Sequence, residues 1–359
     1  MKRTLYLEPT GLVPAPPGDA GIWGGLPLAG GLLAFTAVET QRRALSGGRE
    51  PGRRILSLGE FSEREWGRDT LPAADLFEAL CRPRARLAGL ALDRPRIMGI
   101  VNLTPDSFSD GGRLRGVDAA VAHAVALVEA GAEVLDLGAE STRPGSDAVP
   151  LEEELARLMP VLEAVRAKTE VLISVDTRKA EVMRRAAAAG ADILNDVSAL
   201  THDPAALATA AETGLPVILM HALGDPKTMQ VNPTYDDVVL DVFDYLERRI
   251  DACLAAGIPR EKLVADPGIG FGKTLDHNLA LMAGLSIFHG LGVPILLGAS
   301  RKRFIGHITG VETAGERVAG SVGAALAAAG KGAQILRVHD VRETRHALDV
   351  WMACLEGSA

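Results

Sequence analysis

Residues 97–112 read IMGIVNLTPDSFSDGG, and the junction inside this stretch decides the fold. The first five residues are apolar and partly β-branched, which indicates a short buried strand. A simple turn after a strand needs one or two side chains that hydrogen-bond to the backbone. Here the strand ends at Asn102, and five more polar side chains follow: Thr104, Asp106, Ser107, Ser109 and Asp110. The junction therefore predicts a strand end that carries a functional loop.

The same kind of junction recurs along the chain after residue 95. Each short apolar run is followed by polar or Gly-rich residues and then by an Ala/Leu-rich segment with helical spacing. The eight runs are residues 97–101, 133–138, 171–175, 192–195, 216–220, 262–265, 294–298 and 334–338. Alternating strands and helices predict a parallel sheet with right-handed crossovers. Eight units in about 265 residues predict an α/β protein with a (β/α)8 TIM barrel.

An open doubly wound sheet is the alternative architecture. No G-x-G-x-x-G motif follows the first strand, which disfavours it. Residues 1–92 lack the repeating pattern and are predicted to form a small appended α+β region of unknown role. It has strand-like runs at 32–38 and 54–58 and a helix at 73–80. The barrel is expected to span residues 93–359.

Composition indicates where the protein is located and which classes of partner it does not bind. Acidic residues outnumber basic ones by 46 to 38, and this net charge of −8 disfavours nonspecific nucleic-acid binding. The apolar stretch at 24–38 is broken by Gly and Pro and is too short to cross a bilayer as a helix. The three cysteines match no metal-binding spacing and are typical of reduced thiols in a cytoplasmic protein. We expect a cytoplasmic protein that binds neither nucleic acid nor membrane.

The residues at the strand ends predict the site, because all eight ends of such a barrel open onto one face. Acidic and polar residues there can also cap the next helix, and we interpret Thr177, Asp196 and Ser198 as caps. Capping does not explain the cations, which oppose a helix dipole at its N-terminus and instead predict an anionic, phosphate-bearing substrate. These cations are Arg143, Lys302, Arg337 and His339. His221 also ends a strand, and packing is its favoured role.

The acids and amides at the same ends indicate a second feature of the substrate. A carboxylate accepts two N–H groups side by side, and an Asn side chain offers both a donor and an acceptor. Asp176, Asn195 and Asp266 together suit a flat heterocycle that carries donor groups. The sequence therefore predicts a substrate with a heterocycle inside the barrel and a phosphate at its rim.

At this point the sequence resembles the dihydropteroate synthase family. IMGIVNLTPDSFSDGG and AEVLDLGAESTRPG resemble the two signature segments of that family. ISVDTRK, ADILNDVSA, PVILMH, ADPGIGFGKT, LLGASRKRFIG and ILRVHDV continue the likeness, in the family's order, over about residues 95–355. One departure is Ala139, where the family usually has Gly.

The resemblance implies a transferase of folate biosynthesis that joins 6-hydroxymethyl-7,8-dihydropterin pyrophosphate to p-aminobenzoate and releases pyrophosphate. It also implies a homodimer formed through helices away from the mouth. The implied pterin-binding residues are Asp176, Asn195, Met220, Asp266, Phe271 and Lys302. The implied pyrophosphate ligands are Asn102, which would also hold Mg²⁺, Arg337 and His339. Thr142, Arg143 and Ser300 would bind p-aminobenzoate, and Asp106, Arg143 and Lys302 are the catalytic candidates.

The expected chemistry is a dissociative substitution at the pterin methylene, with a cationic pterin that Asp106 stabilises. Segments 102–116 and 139–149 would close over the reactants. Two other functions remain open at this stage. One is a pterin-dependent methyltransferase on a related barrel, and the other is a barrel that binds without catalysis.

Overall fold

The computed structural model describes residues 4–15, 25–44, 46–103, 112–141, 146–224 and 228–357, without the side chains of residues 68 and 112–115. Within these ranges, no helix combines the length and the apolar character that a membrane span needs. The chain forms an eight-stranded parallel barrel and a smaller antiparallel sheet. The predicted (β/α)8 architecture is therefore confirmed.

The N-terminal part of the chain forms the smaller, antiparallel sheet. Its strands are β1 (Leu5–Pro14), β2 (Leu26–Pro27), β3 (Leu33–Arg42) and β4 (Arg54–Ser57), followed by helices α1 (Leu58–Glu63) and α2 (Thr70–Cys81). β3 is central, with β1 on one side and β2 and β4 on the other. The predicted α+β character is present, and both predicted strands and the predicted helix overlap β3, β4 and α2. Strand β1 was not predicted, because Pro9 and Gly11 interrupt its pattern.

The barrel strands coincide closely with the eight predicted runs. They are β5 (Arg96–Asn102), β6 (Val134–Gly138), β7 (Leu172–Asp176), β8 (Ile193–Asp196), β9 (Val217–Met220), β10 (Leu263–Asp266), β11 (Leu296–Leu297) and β12 (Ile335–Val338). The order in the sheet is β10-β9-β8-β7-β6-β5-β12-β11. A parallel bridge between Ala265 and Ile295 joins the two ends, so the barrel is closed.

Helices surround the strands. They are α3 (Gly112–Glu129), α4 (Leu151–Arg166), α5 (Ala180–Ala188), α6 (Ala206–Thr213), α7 (Val238–Ala255), α8 (Leu275–Ala283), α9 (Arg303–Thr309), α10 (Val318–Ala329) and α11 (Val341–Glu356). A 3₁₀ helix, Leu285–Leu291, precedes β11. Their apolar faces pack on the outside of the sheet, as the spacing of buried Leu155, Leu158 and Leu162 in α4 illustrates.

One layer of apolar side chains fills the lower interior of the barrel. Each strand contributes one inward residue to it: Met98, Val134, Leu172, Ile193, Ile218, Val264, Leu296 and Ile335. Leu87 and Leu92 pack into the same cluster, at the end of the barrel opposite the mouth. A packed apolar floor is therefore in place beneath the strand ends.

The N-terminal sheet packs against the outer helices and shares their hydrophobic core. The Tyr6 ring meets the Phe243 ring edge to face at 5.4 Å, and its hydroxyl donates to Asp244 at 2.7 Å. Arg43 is buried beside them and pairs with Asp244 at 3.0 Å. The sheet therefore covers α7 and the 3₁₀ helix.

Candidate active site

Alternation along the strands places the site directly above the apolar floor. Side chains two residues apart on a strand share a face, so the next inward position on each strand lies one layer nearer the mouth. These positions are Ile100, Asp136, Ser174, Asn195, Met220, Asp266, Gly298 and Arg337. The barrel therefore replaces an apolar layer by a polar one within two residues, and four of the predicted site residues meet there.

Arg337 joins two of the acids in this part of the barrel. Its Nε donates to Asp136 at 2.6 Å, and an Nη donates to Asp176 at 3.1 Å. Asn195 donates its amide to both oxygens of Asp136, at 3.2 and 3.4 Å. Residues from the second, third, fourth and eighth barrel strands thus form one hydrogen-bonded group. Asp136, which is fully buried, was not predicted.

Asp176 retains an unused acceptor. Its Oδ1 is buried and has no hydrogen-bond partner among the described residues, while Oδ2 accepts from Arg337. Burial and the nearby Asp136 raise the pKa of Asp176 to about 8, against the opposing charge of Arg337. A ligand that donates an N–H to this oxygen would favour the charged carboxylate and lower its pKa again.

Asp266 and Lys302 form the opposite wall. The Oδ1 atom of Asp266 accepts from the backbone N–H of Gly268 at 2.7 Å. Burial raises the pKa of Asp266, and the charge of Lys302 opposes the increase. Burial likewise lowers the pKa of Lys302 to about 8. The Lys302 ammonium donates to the carbonyl of Ile269 and lies 4.5 Å from the centre of the Phe271 ring, so this cation and this ring are held together.

The loop after β10 can adopt its shape only because glycine stands at residue 268. Gly268 has a φ of +69°, and a Cβ there would lie 1.9 Å from the carbonyl oxygen of His221. The close approach brings the loop against the end of β9, next to the inward-facing Met220. The predicted pterin residues Met220, Asp266, Phe271 and Lys302 therefore line neighbouring strand ends.

The remaining predicted ligands lie nearer the rim. The Ser300 hydroxyl accepts from the backbone N–H of His339 at 3.2 Å and lies 3.1 Å from the ring Nδ1 of His339. Asn102 ends β5, which lies between β6 and β12. Arg337, by contrast, is held deeper in the barrel by Asp136 and Asp176. Asp106, Thr142 and Arg143 lie outside the described residues, as does much of the two predicted closing segments.

Several polar residues around the site were not singled out from the sequence. The Lys273 ammonium is buried and contacts Nδ1 of His221 at 3.0 Å and the carbonyl of Phe271 at 3.0 Å. Burial places its pKa well below the ordinary value. Glu140 binds Arg178 at 2.6 Å and Lys179 at 2.7 Å, at the base of the segment that follows β6. These contacts hold the loops on the side away from the site. In the sequence alone, the residues that make them look like ordinary surface charges.

None of the three residues predicted as caps, Thr177, Asp196 and Ser198, is the N-cap of a helix. Asp196 accepts from the backbone N–H groups of Ser198 and Leu200, at 2.7 and 3.0 Å, so it closes a turn after β8. Thr177 accepts from the backbone of Lys179 at 3.2 Å and donates to Glu154 at 2.6 Å. Both residues are structural, although neither caps a helix as predicted. His221 is buried in an aromatic cluster, which agrees with the favoured packing role.

The sequence of the chain is similar to the sequences of known proteins. A sequence model of the family described as "Pterin binding enzyme" matches residues 98–339. The chain belongs to the pterin-binding enzyme family. Dihydropteroate synthase of Escherichia coli strain K12 is 52% identical over 271 residues, which cover 76% of this chain and 95% of that protein. The relative from Haemophilus influenzae, with the same name, is 49% identical and covers 74% of this chain and 95% of its own.

Solved structures of the family agree with the sequence comparison. Xanthomonas albilineans dihydropteroate synthase with 4-aminobenzoic acid is 55% identical, with a TM-score of 0.72, and the match covers 76% of this chain and 98% of that one. The same enzyme in complex with 7,8-dihydropteroate is 52% identical, with a TM-score of 0.69 and the same coverage. The chain therefore spans nearly the whole of its relatives. Residues 1–92 lie outside the segment that the family model matches. The departure at Ala139 is accommodated, because this buried residue does not need a positive φ.

Proposed function

We propose that the protein is a dihydropteroate synthase, a transferase that joins dihydropterin pyrophosphate to p-aminobenzoate. One observation carries the proposal: acids and an amide from four barrel strands, Asp136, Asp176, Asn195 and Asp266, line the barrel interior beneath the mouth, with Asp176 one inward position nearer the mouth than the other three. A buried carboxylate oxygen without a partner favours a ligand that donates hydrogen bonds. The names of relatives at about 50% identity give the specific activity.

The dihydropterin would bind in this layer. Its ring N–H groups would donate to Asp176 and Asp266, on opposite walls, and the Asn195 amide would contact the edge between them. Lys302 would donate to a ring carbonyl or nitrogen. Met220 and Phe271 would pack against the ring faces. Burial of both carboxylates, which raises their pKa, makes each charge-assisted bond to the ligand stronger than the same bond in water.

The pyrophosphate end would lie at the rim, near Asn102, Arg337 and His339. Asn102 suits Mg²⁺, because its amide oxygen is a hard ligand and its side chain has no hydrogen-bond partner in the described part of the chain. In the part of the chain that the structure describes, no group of three or more acidic, histidine or cysteine side chains could hold a metal ion by itself. Such a site fits Mg²⁺, which keeps waters and substrate phosphates among its ligands. Bound Mg²⁺ would neutralise charge on the leaving pyrophosphate.

The chemistry would be dissociative. The bond between the pterin methylene and the diphosphate oxygen breaks, and its electron pair leaves with pyrophosphate. The arylamine nitrogen of p-aminobenzoate then forms the new bond to the methylene and loses one proton. Asp106 would stabilise the cationic pterin, while Thr142, Arg143 and Ser300 would hold p-aminobenzoate. Asp106→Asn should therefore slow product formation and leave pterin affinity nearly unchanged, and a large loss of affinity would contradict this role.

We also propose a cytoplasmic homodimer. The three cysteines are unpaired, as expected in a reducing compartment. Helix α10 consists of apolar and small residues, and Ile308 in α9 and Val350 in α11 are more than half exposed beside it. An apolar surface of this kind is typical of a subunit interface. Sedimentation should give a dimer that Ala327→Arg, on the exposed side of α10, dissociates; a monomeric wild-type protein would contradict the proposal.

The activity can be tested directly. Purified protein is incubated with dihydropterin pyrophosphate, p-aminobenzoate and Mg²⁺, and both dihydropteroate and pyrophosphate are measured. We expect one pyrophosphate per dihydropteroate, and loss of both when the metal is chelated. Formation of dihydropteroate without metal would contradict the role proposed for Asn102 and Mg²⁺. No product, or binding of methyltetrahydrofolate in place of the pterin pyrophosphate, would refute the assignment.

A further inference from the structure

The N-terminal sheet contacts the barrel at the start of helix α7, close to the predicted pterin site. The sheet lies outside the segment that defines the family, so its contacts are a feature of this chain. Arg49 binds Asp237 through two nitrogens, at 2.5 and 3.4 Å. Arg43 binds Asp241 at 2.8 Å. Both arginines come from the end of β3 and the turn after it.

Their two partners are the residues that organise the N-terminus of α7. Asp237 is the N-cap, and its Oδ1 accepts from the backbone N–H groups of Val239 and Leu240, both at 3.0 Å. Asp241 accepts from the backbone N–H groups of Asp236 and Asp237, at 2.9 and 3.2 Å. The two arginines therefore neutralise and orient the carboxylates that fix where the helix begins.

The same helix start holds a loop of the pterin site. Tyr235 stands two residues before the N-cap, and its hydroxyl donates to the carbonyl of Gly272 at 2.7 Å. Gly272 lies between Phe271, whose ring contacts Lys302, and Lys273, whose ammonium binds the carbonyl of Phe271. Polar contacts and two short stretches of backbone thus link Arg49 to the Phe271 ring.

Apolar packing and polar contacts both hold this region in place. Val239 and Leu240 at the start of α7 are buried, and the Tyr235 ring lies 6.0 Å from the His221 ring and 4.9 Å from the His277 ring. A pocket of about 370 Å³ lies beside the helix start and is lined by Thr234, Tyr235, Asp236, Asp241, Asp244 and Arg248. The ion pairs of Arg43 and Arg49 therefore add to the packing that positions Tyr235, and their loss would weaken the support of the helix start.

We propose that Arg43 and Arg49 are positioning residues, which place the Phe271–Lys302 wall of the pterin site through α7 and Tyr235. The N-terminal sheet then holds the start of α7 in the position that binding of the substrate requires. The inference rests on the proposed function only in naming the ligand as a dihydropterin. It assigns a role to a region that lies outside the segment matched by the family model.

The test compares two arginines of the same sheet. Arg49→Ala removes the contact with α7, and Arg53→Ala removes an equal charge from a side chain that is 61% exposed and pairs with Glu39 at 3.3 Å. The dissociation constant of a dihydropterin is measured by calorimetry, and thermal unfolding is followed in parallel. We expect Arg49→Ala to raise the constant between about 2-fold and 30-fold, with Arg53→Ala within 2-fold of wild type.

Three further variants separate positioning from general stability. Tyr235→Phe keeps the ring but removes the bond to Gly272, so it should reproduce the weaker binding even if Arg49→Ala folds poorly. The double variant, which combines Arg49→Ala with Tyr235→Phe, should bind dihydropterin no more weakly than the weaker-binding single variant. Arg49→Lys, which keeps the charge, should recover part of the affinity. Equal dissociation constants for Arg49→Ala and Arg53→Ala would overturn the proposal. Effects of the two substitutions that multiply in the double variant would also overturn it. A wild-type protein that binds dihydropterin without making product would refute the proposed function alone.

Discussion

Replacing Asp136 by Asn tests the polar layer at its most buried residue. Asp136 is fully buried, and it accepts from Nε of Arg337 at 2.6 Å and from the amide of Asn195 at 3.2 and 3.4 Å. The variant keeps the shape of the side chain but removes its charge. The amide also presents an N–H₂ group where two donors already point.

The size of the effect follows from what Arg337 retains. Removal of one partner from a fully buried ion pair costs about 3–5 kcal/mol of folding free energy. Arg337 keeps its bond to Asp176 at 3.1 Å, and its side chain is 20% exposed. Loss of the Asp136 charge also relieves the repulsion that raises the pKa of Asp176. We therefore expect the free energy of unfolding to fall by about 2–3 kcal/mol, near the value for one hydrogen bond to a charged group.

The variant should also bind dihydropterin more weakly, because Asp136 fixes which end of the Asn195 amide faces the ligand. We expect the dissociation constant to rise by about 5- to 30-fold, equivalent to about 1–2 kcal/mol. Urea unfolding and calorimetry measure the two effects. Asp349→Asn is the matched control, because Asp349 is 57% exposed and its ion pair with Arg345 should contribute less than about 1 kcal/mol. Equal stability of the two variants would refute the account of the buried pair.

Two further predictions concern the opposite wall and the loop beside it. Burial lowers the pKa of Lys302 to about 8, so the ammonium loses its proton above that pH. The ratio of wild-type to Lys302→Met affinity for dihydropterin should be constant below pH 8 and fall towards 1 above it; a ratio that does not change with pH would exclude a charged Lys302. Gly268→Ala should reduce the free energy of unfolding by at least about 2 kcal/mol, because of its φ of +69° and the approach to His221. Gly59→Ala, where a Cβ meets nothing within 4 Å, should leave stability unchanged or raise it by up to about 1 kcal/mol.

The barrel and half of its site could be predicted because both depend on local patterns. The eight apolar runs end within two residues of the observed strand ends, since strand length and polar turns are encoded locally. The polar layer follows from a period of two along each strand. The same rule applied to the run EVLDLG would have found Asp136, which lies two residues after the inward Val134.

The rest depends on contacts between distant segments. Arg337 could be assigned to the mouth, but its bonds to Asp136 and Asp176 depend on how three strands meet. Arg49 and Asp237 are 188 residues apart, and nothing in the sequence around either residue indicates the other. Strand β1 forms in spite of Pro9 and Gly11, because β3 and the core beneath it stabilise the pairing.

The central claim is that remote strand ends build one site for a heterocycle and its diphosphate. A crystal structure with dihydropterin pyrophosphate bound tests it most directly. The account predicts a ring that contacts Asp176, Asn195 and Asp266 at once, with its diphosphate near Asn102 and His339. A ring bound elsewhere, or one that leaves Asp176 and Asp266 without ligand contacts, would contradict it.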